Sequence, residues 1–238
     1  MGTHAFDSRG ERRTVAWLAI SPHWLWLAGG LGLAFLVPYV LTDVLAVNRD
    51  LFYGLYALTV VALLAVWSRS TGYDLVAAVK RRWLAALVLG LGVGALLTAM
   101  VLRTEDATPR PDGLDLAAAI TWRGIVYGIT DGLLLSVFPI LVVFAALAGT
   151  RLNRRLAGKA AIGAIALGAS LAMTAVYHAG YSDFRSEKMT KPLTGDVLWS
   201  LPTLLTLNPI GAPIAHASLH TTAVLHSYET DTFLPPHK

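Results

Sequence analysis

The feature that most constrains the fold is a series of apolar runs, each about as long as a bilayer is thick. A helix needs roughly 20 apolar residues to cross a hydrocarbon core of about 30 Å. Runs of that kind lie at 23–42, 51–67, 83–102, 124–149, 160–180 and 197–226. They lack the alternation of barrel strands, and backbone polar groups cannot stay unpaired in lipid, so helices are required. The sequence therefore predicts an all-α, polytopic membrane bundle of six to eight transmembrane or half-membrane helices, in a single domain over 1–238.

The loop charges predict the orientation of this bundle. The chain is 14% charged, and its mean hydropathy is +0.58. Eleven Lys and Arg residues fall on the N-terminal side of the membrane, against six in the other loops. The eleven are Arg9, Arg12, Arg13, Arg69, Lys80, Arg81, Arg82, Arg151, Arg154, Arg155 and Lys159. By the positive-inside rule the N-terminus is cytoplasmic. The positive charge thus reflects topology, so the partner is the lipid bilayer and no nucleic-acid surface is indicated.

Ionisable residues inside apolar runs are the candidates for function, because such groups are costly in lipid. His216 and His220 are four residues apart, a spacing that lets two imidazoles on one helical turn reach one metal ion. His178 ends the fifth run, and Asp131 is the intramembrane carboxylate nearest in sequence. The chain has no cysteine, so thiolate ligands are excluded. The predicted site has His178, His216 and His220 on a divalent metal, most plausibly zinc, with Asp131 as general base or as a group that orients a histidine.

The last run contains a break in its helical pattern. Asn208–Pro209, Gly211 and Pro213 interrupt the run just before His216. Non-helical backbone at membrane depth is tolerated only where protein or water satisfies it. The prediction is a short helix, a break and a second helix with the two histidines, forming either a bent crossing or a re-entrant pair.

Residues from about 115 to 226 resemble the CPBP family, the CAAX-protease and bacteriocin-processing intramembrane metalloproteases. The stretch "NPIGAPIAHASLH" is similar to the last motif of that family, "ITWRGIVYG" to the end of its Glu-Glu-x-x-x-Arg motif, and "TAVYH" to Phe-x-x-x-His. The resemblance carries over to Arg123, His178 and His216, with His220 in place of an Asn or Asp. It implies a membrane-embedded metal-dependent hydrolase in a bacterial plasma membrane, acting on a peptide or a lipid, with Arg123 in the catalytic motif.

The departures from the family pattern keep other functions open. The two glutamates of the family motif fall on Ala118 and Ala119, and Thr174 replaces the phenylalanine. The chain is therefore either a hydrolase rebuilt around another acid or a catalytically inactive scaffold or binding protein. A shorter match, [Ser/Thr]-x-x-x-His followed by His-x-x-x-His, is similar to the zinc-hydrolase superfamily of alkaline ceramidases and progestin/adipoQ receptors. A proton or ion relay is a third alternative. In the bundle itself, we expect Arg123 to snorkel or to donate to carbonyls freed near Asn208.

Overall fold

The structure is a computed structural model and describes residues 21–185, 187–230 and 233–234. The predicted N-terminal charges at Arg9, Arg12 and Arg13 lie outside these ranges. Within them the secondary structure is helical, without strands. The all-α prediction is therefore confirmed for the described part of the chain.

Among the residues that the structure describes, five helices are long and apolar enough to cross a membrane, which indicates a membrane protein. They are α1 (Pro22–Val44), α2 (Arg49–Thr71), α4 (Trp83–Thr104), α5 (Gly113–Leu147) and α6 (Leu156–Ala179). The described part of the chain also has three shorter α-helices, α3 (Leu75–Lys80), α7 (Thr190–Thr206) and α8 (Gly211–His226). Local signals fix several of their ends. The Asn48 side chain accepts from Leu51 N and begins α2, and Gly72, with φ 70°, ends it.

The predicted break in the last apolar run is confirmed as a turn between α7 and α8. Leu207 has a left-handed backbone with φ 53°, and α8 begins at Gly211. The buried Asn208 amide donates to the carbonyls of Ala78, Val79 and Arg81. Asn208 itself thus satisfies the backbone next to the break.

Contacts at the two ends of α7 and α8 show that these helices run in opposite directions. Lys191, at the start of α7, pairs with Glu105, and His226, at the end of α8, contacts the carbonyl of the same Glu105. The turn between them lies instead beside the loop that precedes α4, because Asn208 contacts it. We name the side with loops 72–82, 148–155 and 207–210 the basic face. The side with loops 45–48, 105–112, 180–185 and 187–189 is the opposite face.

Glycines let α8 sit directly against the backbones of α4 and α5. A Cβ at Gly128 would lie 2.7 Å from Ala217 Cα, and one at Gly132 would lie 2.6 Å from Pro213 Cα. The remaining members of this glycine seam are Gly90, Gly94 and Gly124, where a Cβ would meet Gly211, Ser218 and Thr221. The small residues on both flanks allow the close approach that membrane helices need for tight packing. The seam holds α8, which carries His216 and His220, in a fixed position.

The helix α5 is irregular on both sides of Asp131. It widens into π-helical turns at Ile120–Val126 and at Gly132–Val137, and the ordinary helical segment Tyr127–Asp131 lies between them. Such turns re-aim side chains and occur often at functional sites. They set the direction in which Tyr127 and Asp131 point toward α8.

Candidate metal centre

Three buried side chains from α5 and α8 meet inside the bundle. Asp131, His216 and His220 each offer one ligand atom, and these atoms lie within 4.8 Å of one another. Their residues are 3%, 1% and 4% exposed. The i, i+4 spacing predicted for the two histidines holds in α8, where their ring centroids are 6.1 Å apart. The arrangement has the donor types and spacing of a metal site.

The ring orientation of His220 is fixed from outside the group. Its Nδ1 lies 2.7 Å from the carbonyl oxygen of Phe233. Because a carbonyl oxygen only accepts, Nδ1 carries the proton. Nε2 then faces Oδ2 of Asp131 at 3.3 Å. In a neutral imidazole this would set a lone pair against a carboxylate, so the contact needs a proton or a cation between the two atoms.

His216 has no polar contact of its own. Neither Nδ1 nor Nε2 has a hydrogen-bond partner among the residues that the structure describes, although the ring is buried. The Trp199 indole packs on it with ring centroids 4.4 Å apart. A buried imidazole that leaves both nitrogens unpaired is unfavourable, which is resolved when one of them coordinates a ligand.

Tyrosines surround the carboxylate of Asp131. The Tyr56 hydroxyl in α2 donates to Oδ1 over 2.8 Å. The Tyr127 ring lies edge-on to His220 at 4.8 Å, and its hydroxyl is 2.9 Å from that of Tyr177. Asp131 therefore keeps Oδ2 directed at the histidines while Oδ1 is held from the other side.

His178 lines the same small cavity but lies outside the tight group of three ligand atoms. The cavity has a volume of about 40 Å³ and is lined by Asp131, His178, His216 and His220, with Lys191 and Pro192 on the side of the opposite face. Nδ1 of His178 is 2.8 Å from the Thr174 carbonyl, so this nitrogen also carries a proton. The ring packs between Tyr177 and Phe184.

Arg123 lies away from this cavity. Its guanidinium makes a two-pronged pair with Asp50, with Nε–Oδ1 at 3.0 Å and Nη2–Oδ2 at 2.9 Å, and it also donates to the Tyr228 hydroxyl. These partners are near the opposite face, so the expectation that Arg123 donates to carbonyls near Asn208 is wrong. Arg123 and Asp131 do not pair directly, as their separation of eight positions along one helix predicts.

The positions that correspond to the family glutamates also lie apart from the histidines. Ala118 and Ala119 line a pocket of about 440 Å³ together with Asp50 and Arg123. The acid beside the histidines is Asp131, about three turns farther along α5 than Ala119. The carboxylate of the site thus comes from a part of α5 that lies beyond the residues similar to the family motif.

Sequence reasoning did not find Tyr56, Trp199 or Phe233. Tyr56 lies in the middle of an apolar run, away from the membrane interfaces where tyrosines are common, and that position was a usable signal. The Phe233 contact comes from a backbone carbonyl, for which a side-chain pattern gives no sign. Comparison with models of protein families, with curated proteins and with solved structures found no match.

Proposed function

We propose that the protein is a membrane-embedded, metal-dependent hydrolase in which Asp131, His216 and His220 hold one divalent metal ion, zinc. The observation that carries this proposal is His216, a buried imidazole with two unpaired nitrogens in the described structure, beside a carboxylate and a second imidazole. Two imidazoles and one carboxylate form a ligand set used by catalytic zinc sites, which keep a further position open for water.

The surroundings of each ligand support this assignment. Donation from Nδ1 of His220 to the Phe233 carbonyl leaves Nε2 as the coordinating atom. The Tyr56 hydroxyl holds Oδ1 of Asp131 and leaves Oδ2 for the ion. Asp131 acts here as a ligand, in place of the general base or histidine-orienting group that the sequence alone predicts. Held by these ligands, a zinc ion would supply a bound water with a pKa near 7.

His178 is then the proton acceptor of the reaction, in place of the ligand role predicted for it. Its protonated Nδ1 faces the Thr174 carbonyl, which leaves Nε2 as the basic atom in a neutral ring. It lines the cavity that contains the three ligands. A histidine in this position takes a proton from an attacking water and returns it to the leaving group. Arg123 stabilises the bundle through Asp50 and takes no part in the reaction.

The setting in the membrane follows from the same reasoning. We propose that α7 and α8 cross with the five long helices, that the basic face is cytoplasmic, and that the cavity opens outward in a bacterial plasma membrane. The substrate is a peptide or a lipid, in keeping with the resemblance to the CPBP family.

A metal-binding scaffold without turnover is the second candidate. The observation that favours it is the cavity, which at about 40 Å³ holds an ion and little more than its water. In the hydrolase, by contrast, a substrate could reach the ion only if the segment at Lys191 and Pro192 moved.

Metal analysis of protein purified without chelator tests the proposal. We expect about one zinc per chain, lost in His216→Ala, His220→Ala and Asp131→Asn. His226→Ala is the matched control, since the His226 ring lies near the opposite face, where its Nε2 meets the Glu105 carbonyl. Metal content that is indifferent to all three substitutions contradicts the site.

Turnover separates the two candidates. A fluorogenic peptide and a fluorogenic lipid ester are the probes, each assayed with zinc-loaded and chelator-treated protein. If the protein is a hydrolase, we expect zinc-dependent cleavage of one probe. The His178→Ala variant should then keep its zinc but lose cleavage. Stoichiometric zinc with no cleavage of either probe supports the scaffold instead.

A further inference from the structure

A second buried carboxylate lies in the bundle outside the candidate metal centre. Asp196, in α7, is 0% exposed. Its Oδ1 accepts from Trp199 Nε1 at 2.7 Å, from Ser200 Oγ at 2.9 Å and from Ser170 Oγ at 3.1 Å. Within residues 21–185, 187–230 and 233–234 it forms no ion pair. A buried charge of this kind needs a compensating positive charge or a proton.

The hydroxyl protons around Asp196 are too few for the contacts there. Oxygen–oxygen contacts of 2.6 to 3.1 Å join Ser170 to the Leu135 carbonyl, to Asp196 and to Ser200, and join Ser200 to Asp196 and to Ser136. These are five contacts, and the three serines supply three protons, since each hydroxyl has one. A proton on Asp196 raises the number to four. At least one pair of oxygens is then left with no proton between them.

Two further oxygens complete the cluster. Oδ2 of Asp196 and the hydroxyl of Thr174 are buried side by side, and neither makes a hydrogen bond of good geometry within the described part of the chain. Thr174 lies one helical turn from Ser170 on the same face of α6. The cluster thus combines crowded lone pairs with two loosely held oxygens, an arrangement that suits a cation shared among them.

We propose that this cluster binds one sodium ion, held by Asp196, Ser170, Ser200, Thr174 and the Leu135 carbonyl. All the donors are oxygens, which suit a hard cation and not the transition metals that prefer imidazole. One carboxylate balances one positive charge, whereas a divalent ion would leave a net charge in a medium of low dielectric constant. The close spacing of the oxygens favours sodium over the larger potassium ion.

The sodium site and the metal centre share no ligand but are joined through one side chain. The Trp199 indole donates to Asp196 and packs on His216. An ion at Asp196 neutralises the carboxylate that orients this indole. The two sites can therefore be tested separately, because chelators remove divalent ions and leave sodium.

Thermal unfolding of the purified protein in detergent, with chelator present throughout, tests the proposal. At constant ionic strength, we expect the Tm to rise with NaCl in place of choline chloride and to reach a plateau, because an ion that binds only the folded state stabilises it. KCl should have a smaller effect. Equilibrium binding of ²²Na⁺ should approach one ion per chain.

Substitutions identify the site. Asp196→Asn keeps an oxygen for Trp199 and Ser200 but removes the charge, so it should abolish both the NaCl effect and ²²Na⁺ binding. Ser200→Ala should weaken both and serves if the first variant does not fold. Ser218→Ala is the control, because the Ser218 hydroxyl bonds its own helix at the Ile214 carbonyl, and it should respond to NaCl like the wild type.

Two results would overturn the proposal. One is a wild-type Tm that is the same in NaCl and choline chloride, together with no bound ²²Na⁺, which would mean that a proton neutralises Asp196. The other is a sodium effect that persists unchanged in Asp196→Asn.

Discussion

The Tyr56 hydroxyl reaches from α2 to Oδ1 of Asp131 in α5 at 2.8 Å. It is the hydrogen bond that sets the direction of the carboxylate, because the other oxygen faces His220. A group that orients a ligand in this way typically changes metal affinity by about 10- to 100-fold when removed.

We therefore expect Tyr56→Phe to weaken zinc binding by about 10- to 100-fold while the protein stays folded. Competition with a fluorescent zinc chelator measures the affinity. Tyr53→Phe is a matched control one turn earlier, since the Tyr53 hydroxyl has no hydrogen-bond partner in the described structure. Equal affinities of Tyr56→Phe and the wild type would contradict the orienting role of Tyr56.

The glycine seam predicts a site that is sensitive to one methyl group. In Gly128→Ala the new Cβ meets the α8 backbone at Ala217. Overpacking of this kind costs about 1–3 kcal/mol, so we expect a lower Tm and weaker zinc binding. Gly92→Ala, on the side of α4 where a Cβ has no described atom within 4 Å, should leave both unchanged.

Asn208 is expected to be the most sensitive residue of the turn between α7 and α8. Asn208→Ala removes the amide that donates to the carbonyls of Ala78, Val79 and Arg81 beside the break. Each unsatisfied group costs about 1–3 kcal/mol, which thermal unfolding in detergent should detect. Asn153→Ala removes a comparable amide bond at an exposed site, and its Tm should change little. Similar losses in the two variants would contradict the role of Asn208.

The Arg123–Asp50 pair should contribute to stability and not to metal binding. The two side chains are 20% and 54% exposed, so solvent screens the pair and we expect Arg123→Ala to cost no more than about 1 kcal/mol. A double-mutant cycle with Asp50→Asn isolates the interaction. Zinc content should stay at the wild-type level. Loss of zinc or of turnover at unchanged stability would show that Arg123 takes part in metal binding or in the reaction.

Orientation can be tested with single cysteines, because the chain contains none. Ser182, at the opposite face, and Ser70, near the basic face, are both exposed. An impermeant thiol reagent should label Ser182→Cys on intact cells, and Ser70→Cys only after permeabilisation. The reverse pattern would place the basic face outside.

Short-range patterns in the sequence predicted a large part of this arrangement. The apolar runs gave the helices, the Asn208–Pro209 break gave the turn, and the i, i+4 spacing brought His216 and His220 onto one side of α8. The contacts that complete the site join residues far apart in the chain, such as Tyr56 with Asp131. They depend on helix packing, which local periodicity does not encode.

Asp196 is a second residue whose surroundings could not be predicted from local sequence patterns. In the sequence it is one of several acidic residues in a loop-like stretch before the last apolar run. In the structure α7 begins at Thr190 and carries it into the core between α5 and α6, where Ser170 and Ser200 donate to it. The apolar run begins only at 197, so hydropathy alone leaves this carboxylate in the polar stretch before the helix.

The glycine seam also determines how the apoprotein behaves. With backbone against backbone on two sides, α8 has no room to rotate or slide, so the two imidazoles keep their spacing whether or not an ion is present. Binding then costs little reorganisation, in contrast to small zinc domains that fold only around their metal. Amide hydrogen exchange in 211–226 should be slow in the chelator-treated protein and change little when zinc is added. Helix packing therefore holds the metal ligands in their binding positions in the apoprotein, which favours tight binding of the ion.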